Sequence, residues 1–273
     1  TRGMTPRLAF SYGHRAGGML MGHGWTVTGM SQISRCPKTW AQDGVARGVN
    51  LDVQDRFCLD GNQLKLVAGT YGSNGAEYRT ELESYARIKS YGTAGTGPAY
   101  FIVEFKDGTI AEYGNSSDTR IESVGSATAR SWLMNKHRDR LNNYIQYAYI
   151  EEATLGSVRI SQISYTGNSA QSITPPYRID FVYEPQPTGE VEAGYLANAS
   201  LKDVTRLKRV DVSHINGGTT LLRRFEVDYE ASLSSASRSR VSQIRECGGT
   251  AGTDCFLPTT FSYQNGTNNF SAK

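Results

Sequence analysis

Glu190-Val191-Glu192 is the arrangement in this sequence that comes nearest to catalytic chemistry. Two carboxylates one residue apart form the E-x-E that ADP-ribosyltransferases set beside the scissile nicotinamide bond. Those enzymes also need an upstream Arg and a Ser-Thr-Ser strand, and neither 161–164 nor 169–172 has that pattern. Pro185, Pro187, Gly189 and Gly194 surround the pair with turn formers, so it reads as a solvated acidic loop. The histidines, His14, His23, His137 and His214, are scattered without an H-x-x-x-H or H-x-H pair. A transition metal would need ligands from four separate segments. His23, between Gly22 and Gly24, fits a turn before Trp25 better than a general base. Asp107, Asp118 and Asp139 lie near turns, but no D-x-D-x-D-G run supports calcium. There is no G-x-S-x-G elbow, and the glycines at 13–18 and 217–218 lack the Gly-Lys-(Ser/Thr) of a phosphate loop. The residues therefore point to a non-enzymatic chain without cofactor or metal. Trp25, Trp40 and Trp132 are expected to pack in a sheet or at its junctions.

The other reactive side chains are Cys36, Cys58, Cys247 and Cys255, which allow three disulfide connectivities. No C-x-x-C pair occurs. The Gly-rich stretch from Cys247 to Cys255 is flexible enough to bring its ends to bonding distance, and Cys36 and Cys58 flank another loop-like stretch at 43–48. The preferred pairing is 36–58 with 247–255, which implies an oxidising compartment; four buried thiols are the alternative.

What must position these residues is β structure. Tyr100-Phe101-Ile102-Val103-Glu104-Phe105 runs through Asp107-Gly108 into Ile110-Ala111-Glu112-Tyr113, a strong hairpin signal. In 144–150, Tyr144 and Gln146 share one face while Ile145, Tyr147 and Tyr149 share the other. Further strand-like runs occupy 158–165, 177–183, 204–214, 221–229, 240–246 and 258–263. The second half repeats a strand, turn and return strand ending near Tyr, without a fixed period. Two stretches carry weak helical signals. Leu82, Tyr85 and Ile88 fit one helical face, although 82–88 also alternates as a strand, and Asn198-Ala199-Ser200 could cap a turn within 196–204. The chain is assigned all-β, as consecutive antiparallel hairpins in a curved sheet. A subdivision into 1–134 and 135–273 is possible within it.

Composition agrees. The 273 residues include 29 Gly, 16 Tyr and only 8 Pro, which suits many strands and tight turns but neither collagen nor disorder. No apolar run is long enough to span a membrane as a helix. The net charge of +3 is spread along the chain, with no basic stripe for nucleic acid. The opening Thr1-Arg2-Gly3-Met4-Thr5-Pro6 carries neither an initiator methionine nor a signal peptide, and reads as an internal segment of a longer protein.

Several motifs in order carry a resemblance. Arg7-Leu8-Ala9-Phe10-Ser11-Tyr12 is followed by Gly22-His23-Gly24-Trp25 and by Ile33-Ser34-Arg35. This resembles the Leu-x-Leu-x-Tyr strand, Gly-x-Gly-Trp turn and Ile-Ser-Arg strand that open the SpvB-type N-terminal domain of Tc-toxin B components and related RHS (YD-repeat) proteins. Asp55-Arg56-Phe57-Cys58-Leu59-Asp60-Gly61, Asp107-Gly108 with Tyr113-Gly114, and Asn135-Lys136 through Asp139, Asn143 and Tyr147 are similar to the later motifs. Asn142 stands where the family has Gly, and Asn tolerates a left-handed backbone better than most residues.

The resemblance implies a secreted or bacterial cell-surface virulence protein. This segment would form part of a β-sheet shell that encloses a C-terminal toxic payload. Its partners would be the remainder of the polypeptide, including the RHS repeats and the payload, together with a toxin-translocation subunit. Gly22, Gly24, Trp25, Arg35, Asp107, Gly108, Asp139 and Asn143, with the two disulfides, are the residues expected to maintain it. The rival expectation is a cell-surface β-domain that binds glycan or a host protein.

Overall fold

The computed structural model describes residues 4–13, 20–230 and 238–264, with every side chain there except that of Glu192. In chain order the elements begin with β1 (Ala9–Tyr12), β2 (Trp25–Thr28), β3 (Gln32–Cys36), α1 (Trp40–Asp43), β4 (Arg56–Leu59), β5 (Asn62–Ala68) and β6 (Glu77–Thr80). They continue with β7 (Arg87–Tyr91), β8 (Tyr100–Glu104), β9 (Ile110–Tyr113), β10 (Arg120–Glu122), β11 (Ala129–Arg138), β12 (Asn143–Glu152) and β13 (Ser157–Asn168). The remainder are β14 (Tyr177–Pro185), β15 (Glu192–Leu196), β16 (Ala199–Asp203), β17 (Thr205–His214), β18 (Thr220–Glu230), β19 (Arg240–Gly248), β20 (Asp254–Cys255) and β21 (Thr259–Thr260). The all-β assignment holds. The one described α-helix is a single turn, closed by Gly44 at φ 67°.

The chain divides into two compact units. The first is centred on Met30–Pro175 with Ala193–Lys202. There β3 to β9 pair antiparallel, each with the next. The long strand β11 closes the series, pairing with β3 through Ser131–Leu133 and with β9 through Met134–Arg138. Eight strands thus form a ring of pairings, about the size whose interior side chains can just fill. Alternation decides what goes inside. Along β7, β8 and β9 every second residue is buried, giving Ile88, Phe101, Val103, Ala111 and Tyr113. Leu64, Tyr78 and Trp132 join them at 0% exposure. Phe57, Phe101 and Trp132 meet edge to face with centroids 5.0–5.5 Å apart.

The second unit comprises Arg7–Gly29, Pro176–Glu192 and the chain from Asp203 onward. Its sheet runs β14-β17-β18-β19, with β20 and β21 both paired to β19. Ile179, Phe181, Leu207, Val210, Val227 and Val241 are among its buried side chains. The β1–β2 hairpin packs on this unit through Phe10, whose ring centroid is 6.3 Å from that of Phe225.

Both weak helical signals resolve otherwise. Between β6 and β7 the chain is irregular, because the side chain of Asn62 takes both backbone groups of Leu82 and removes them from any ladder or helix. Leu82 and Tyr85 are exposed while Ala86 is buried. Residues 196–204 form the β15–β16 hairpin instead of a capped turn of helix. Ala197 and Asn198 both have positive φ, 47° and 67°, as the mirror-image hairpin turn requires.

Candidate functional site

Arg35 is the buried cation of the first unit. It lies on β3, next to strands that bring Ala129 and the 52–55 loop within reach. Nε donates to the Ala129 carbonyl at 2.7 Å. Nη1 donates to the Asp52 carbonyl at 2.7 Å and the Asp55 carboxylate at 3.1 Å, and Nη2 donates to the Thr96 hydroxyl at 3.2 Å. The side chains of Arg35 and Asp55 are 1% and 0% exposed. Burial lowers the guanidinium pKa, opposed by the hydrogen bond and charge of Asp55. Asp55 in turn accepts the amides of Asn50 and Asp52 and a bond from Arg47 Nη1. The rings of Phe57 and Trp132 flank the guanidinium at 5.6 and 6.0 Å. A cation so fully engaged is poorly placed to clamp an anionic substrate. It ties β3, β11 and two loops together. Asp55, absent from the residues singled out for integrity, is half of this pair; its position in the Asp-x-Phe-x-Leu motif was the available signal.

Two aspartates organise hairpin turns in the same unit. Asp107 accepts the amide and hydroxyl of Thr109 at 2.9 and 2.8 Å, and these bonds hold its carboxyl below the usual range. Gly108 has φ 81°, and a Cβ there would lie 1.7 Å from Arg140 Nε. Asp139 accepts the amides of Leu141 and Asn143, and its second oxygen accepts Asn143 Nδ2 at 2.7 Å. Asn143 Oδ1 then accepts Asn168 Nδ2 from β13. Asn142 takes the left-handed conformation at φ 63°.

In the second unit Ser239 is a node that sequence inspection gave no reason to notice. Its carbonyl accepts the His23 amide at 2.9 Å, its amide donates to Glu190 Oε2 at 2.7 Å, and its hydroxyl accepts Arg206 Nη1. Glu190 is therefore occupied with backbone and is not simply solvated; the Glu192 side chain lies outside the described residues. Gly22 has φ 71°, and a Cβ would come within 2.5 Å of the Ser239 carbonyl oxygen, so a side chain has no room there. Gly24, at φ 80°, lies against the Tyr12 ring. Trp25 is buried, and its Nε1 donates to the Tyr263 hydroxyl, which donates to the Val241 carbonyl. Tyr12, His23, Trp25, Arg240, Phe261 and Tyr263 line an open groove of about 750 Å³.

All four cysteines are bonded, Cys36 to Cys58 and Cys247 to Cys255, with Cα separations of 5.9 and 3.9 Å. Trp132 is fully buried, but Trp40 is 72% exposed on the one-turn helix, against the expectation that it packs in the sheet. A single turn has too little apolar surface of its own to cover an indole. His214 packs on Tyr177, His23 is exposed, and His14 lies outside the described residues. Among the described residues no group of three or more His, Cys, Asp or Glu is placed to hold a metal ion. No described helix is long and apolar enough to cross a membrane.

The fold has known counterparts. The N-terminal domain of effector protein SpvB from Salmonella typhimurium strain LT2 superposes with a TM-score of 0.73 at 16% identity, covering 91% of this chain and 95% of that one. TcdB2-TccC3-TEV gives a TM-score of 0.77 at 17% identity, over 97% of this chain but 15% of the other. A Photorhabdus luminescens Tc holotoxin pore gives 0.73 at 16% identity, over 96% and 15%. No curated protein sequence matches the chain. The family model described as Salmonella virulence plasmid 65kDa B protein matches residues 1–179, well over half the sequence, and the chain therefore belongs to the SpvB family.

Proposed function

We propose that this chain is a non-catalytic wall segment of a secreted RHS/Tc-type toxin protein, helping to enclose and deliver a C-terminal toxic payload. The observation that carries the reading is the extent of the structural match. The match to TcdB2-TccC3 extends over 96% of this chain, yet over 16% of that chain. A similar architecture set within a far larger protein suits a segment of wall. Ladders of backbone hydrogen bonds supply the barrier, and its partners are the rest of the polypeptide, with its RHS repeats and payload, and a toxin-translocation subunit. Two disulfides suit an oxidising, extracellular setting. The rival, a glycan- or host-binding surface domain, draws less support because Trp25 and Trp132 are buried and Trp40 alone among the tryptophans is exposed.

The test is electron cryomicroscopy of the full-length protein with limited proteolysis in parallel. The expected result is this segment within the wall of a hollow particle and a payload protected until the wall is cut. A segment standing apart from any enclosed space, with the payload digested at the rate of a free polypeptide, would overturn the proposal.

A further inference from the structure

Where β8–β9 and β11–β12 turn, the barrel carries an imidazole with an unusual environment. His137 lies on β11, opposite Ala111 of β9 and Ile145 of β12, so both strand neighbours are apolar. Its ring meets Phe105 edge to face, with centroids 6.0 Å apart. Its Nε2 atom is buried and has no hydrogen-bond partner. An unpaired buried polar atom of this kind is costly, and costlier once it carries a proton it must donate. The charged groups that act on the ring are Asp107, from the β8–β9 turn, and Asp139, from the β11–β12 turn. Both already receive hydrogen bonds within their own turns. Arg140, from the second turn, lies over Gly108 of the first, so the two turns are in contact beside the ring.

We propose that His137 is an acid-released latch between these two hairpin ends. With the ring neutral, Nε2 needs no acceptor and the ends stay packed. With the ring protonated, Nε2–H has no acceptor unless the ends part and admit water.

Burial holds the imidazole pKa below the ordinary histidine value, against the opposing pull of Asp107 and Asp139. The opened rim therefore binds the proton more readily than the closed one. Closure is fully favoured above the ordinary value of about 6.5 and weakens as pH falls from there toward the lowered value.

The test is amide hydrogen exchange of the 273-residue chain at about pH 7.5 and about pH 5, corrected for the intrinsic pH dependence of exchange. The amides of Gly108, Asn142 and Asn143 report on the two turns. Wild-type protection is expected to fall several-fold at the lower pH, while His137→Phe, which keeps a flat ring against Phe105, loses the dependence. Protection that does not change with pH, or that changes equally in the variant, would overturn the latch. Should the variant not fold, NMR titration of His137 in the wild type decides by itself. A pKa below about 6.5 supports the proposal, and one at or above that value overturns it.

Discussion

In the first unit β11 pairs with both β3 and β9, and the ring encloses Trp132, Tyr78, Tyr113 and Phe101 at no more than 1% exposure. In the second, β14-β17-β18-β19 buries smaller side chains and presents rows of ions elsewhere on its surface. Arg209, Glu226 and Arg245 lie in register across three strands, as do Asp180, Asp211 and Arg224. Of the twelve largest fully buried side chains, all but Met21 and Leu207 belong to the first unit. The closed ring draws most of its interior from hydrophobic side chains, with the Arg35–Asp55 pair buried among them. The second unit relies more on specific links: Ser239 with its three partners, Trp25 with Tyr263, the Cys247–Cys255 bond and the cross-strand ion pairs. The lesson is that burial in one unit and local bonding in the other should respond to different perturbations.

The largest expected effect falls on the ring. Asp55→Asn leaves Arg35 buried without its counter-charge and should cost about 3–5 kcal/mol in urea unfolding. A loss below about 1 kcal/mol would mean that the pair is not the centre of the first unit's polar network. Next come the cross-links. Replacing Cys36 and Cys58 with Ala should cost about 3 kcal/mol, and the shorter Cys247–Cys255 loop about 2.5 kcal/mol. If removing the second bond leaves the melting temperature unchanged, the second unit does not depend on it. Gly22→Ala should cost about 1–3 kcal/mol, since the new methyl would meet the Ser239 carbonyl at a positive φ. An unchanged stability for that variant would show that the 22–24 turn can move freely away from Ser239.

The smallest effect is electrostatic. Arg224→Ala should cost about 0.2–1 kcal/mol, and high salt should shrink the loss. Burial of Asp211 opposes its ionisation, but hydrogen bonds from Arg224 and Arg209 outweigh this and hold its carboxyl below the ordinary value. Its contribution is thus present above the ordinary carboxylate pKa and lost as pH falls through the lowered one. A wild-type stability profile identical to that of Arg224→Ala in the acid range would remove Asp211 from the ladder.

Much of this was legible in the sequence because the information was local. Asp107-Gly108 sits at a hairpin turn, Ile145 and Tyr147 alternate into the core, and the Gly-rich run between Cys247 and Cys255 does close on itself. What could not be read was set by distant partners. That β11 also reaches back to β3 depends on residues roughly a hundred positions apart, and no turn signal records it. Arg35 is as polar as any surface arginine until Ala129, Thr96 and Asp55 assemble around it. The segment 82–88 offered two periodicities, and the side chain of Asn62 held Leu82 out of both before β7 begins at Arg87.

The order of the units along the chain has a consequence for synthesis on the ribosome. Residues of β1 and β2 emerge before the ring strands, yet Ser239, Val241 and Tyr263, which hold the 22–25 turn, emerge more than two hundred residues later. At about 5–20 residues per second that is a wait of roughly ten to forty seconds. The ring strands lie within Met30–Pro175, so they can all leave the ribosome and close in that interval. The nascent hairpin, with its apolar Phe10 and Trp25, is left as a waiting clasp, and a chaperone that acts on this chain co-translationally would find a client there.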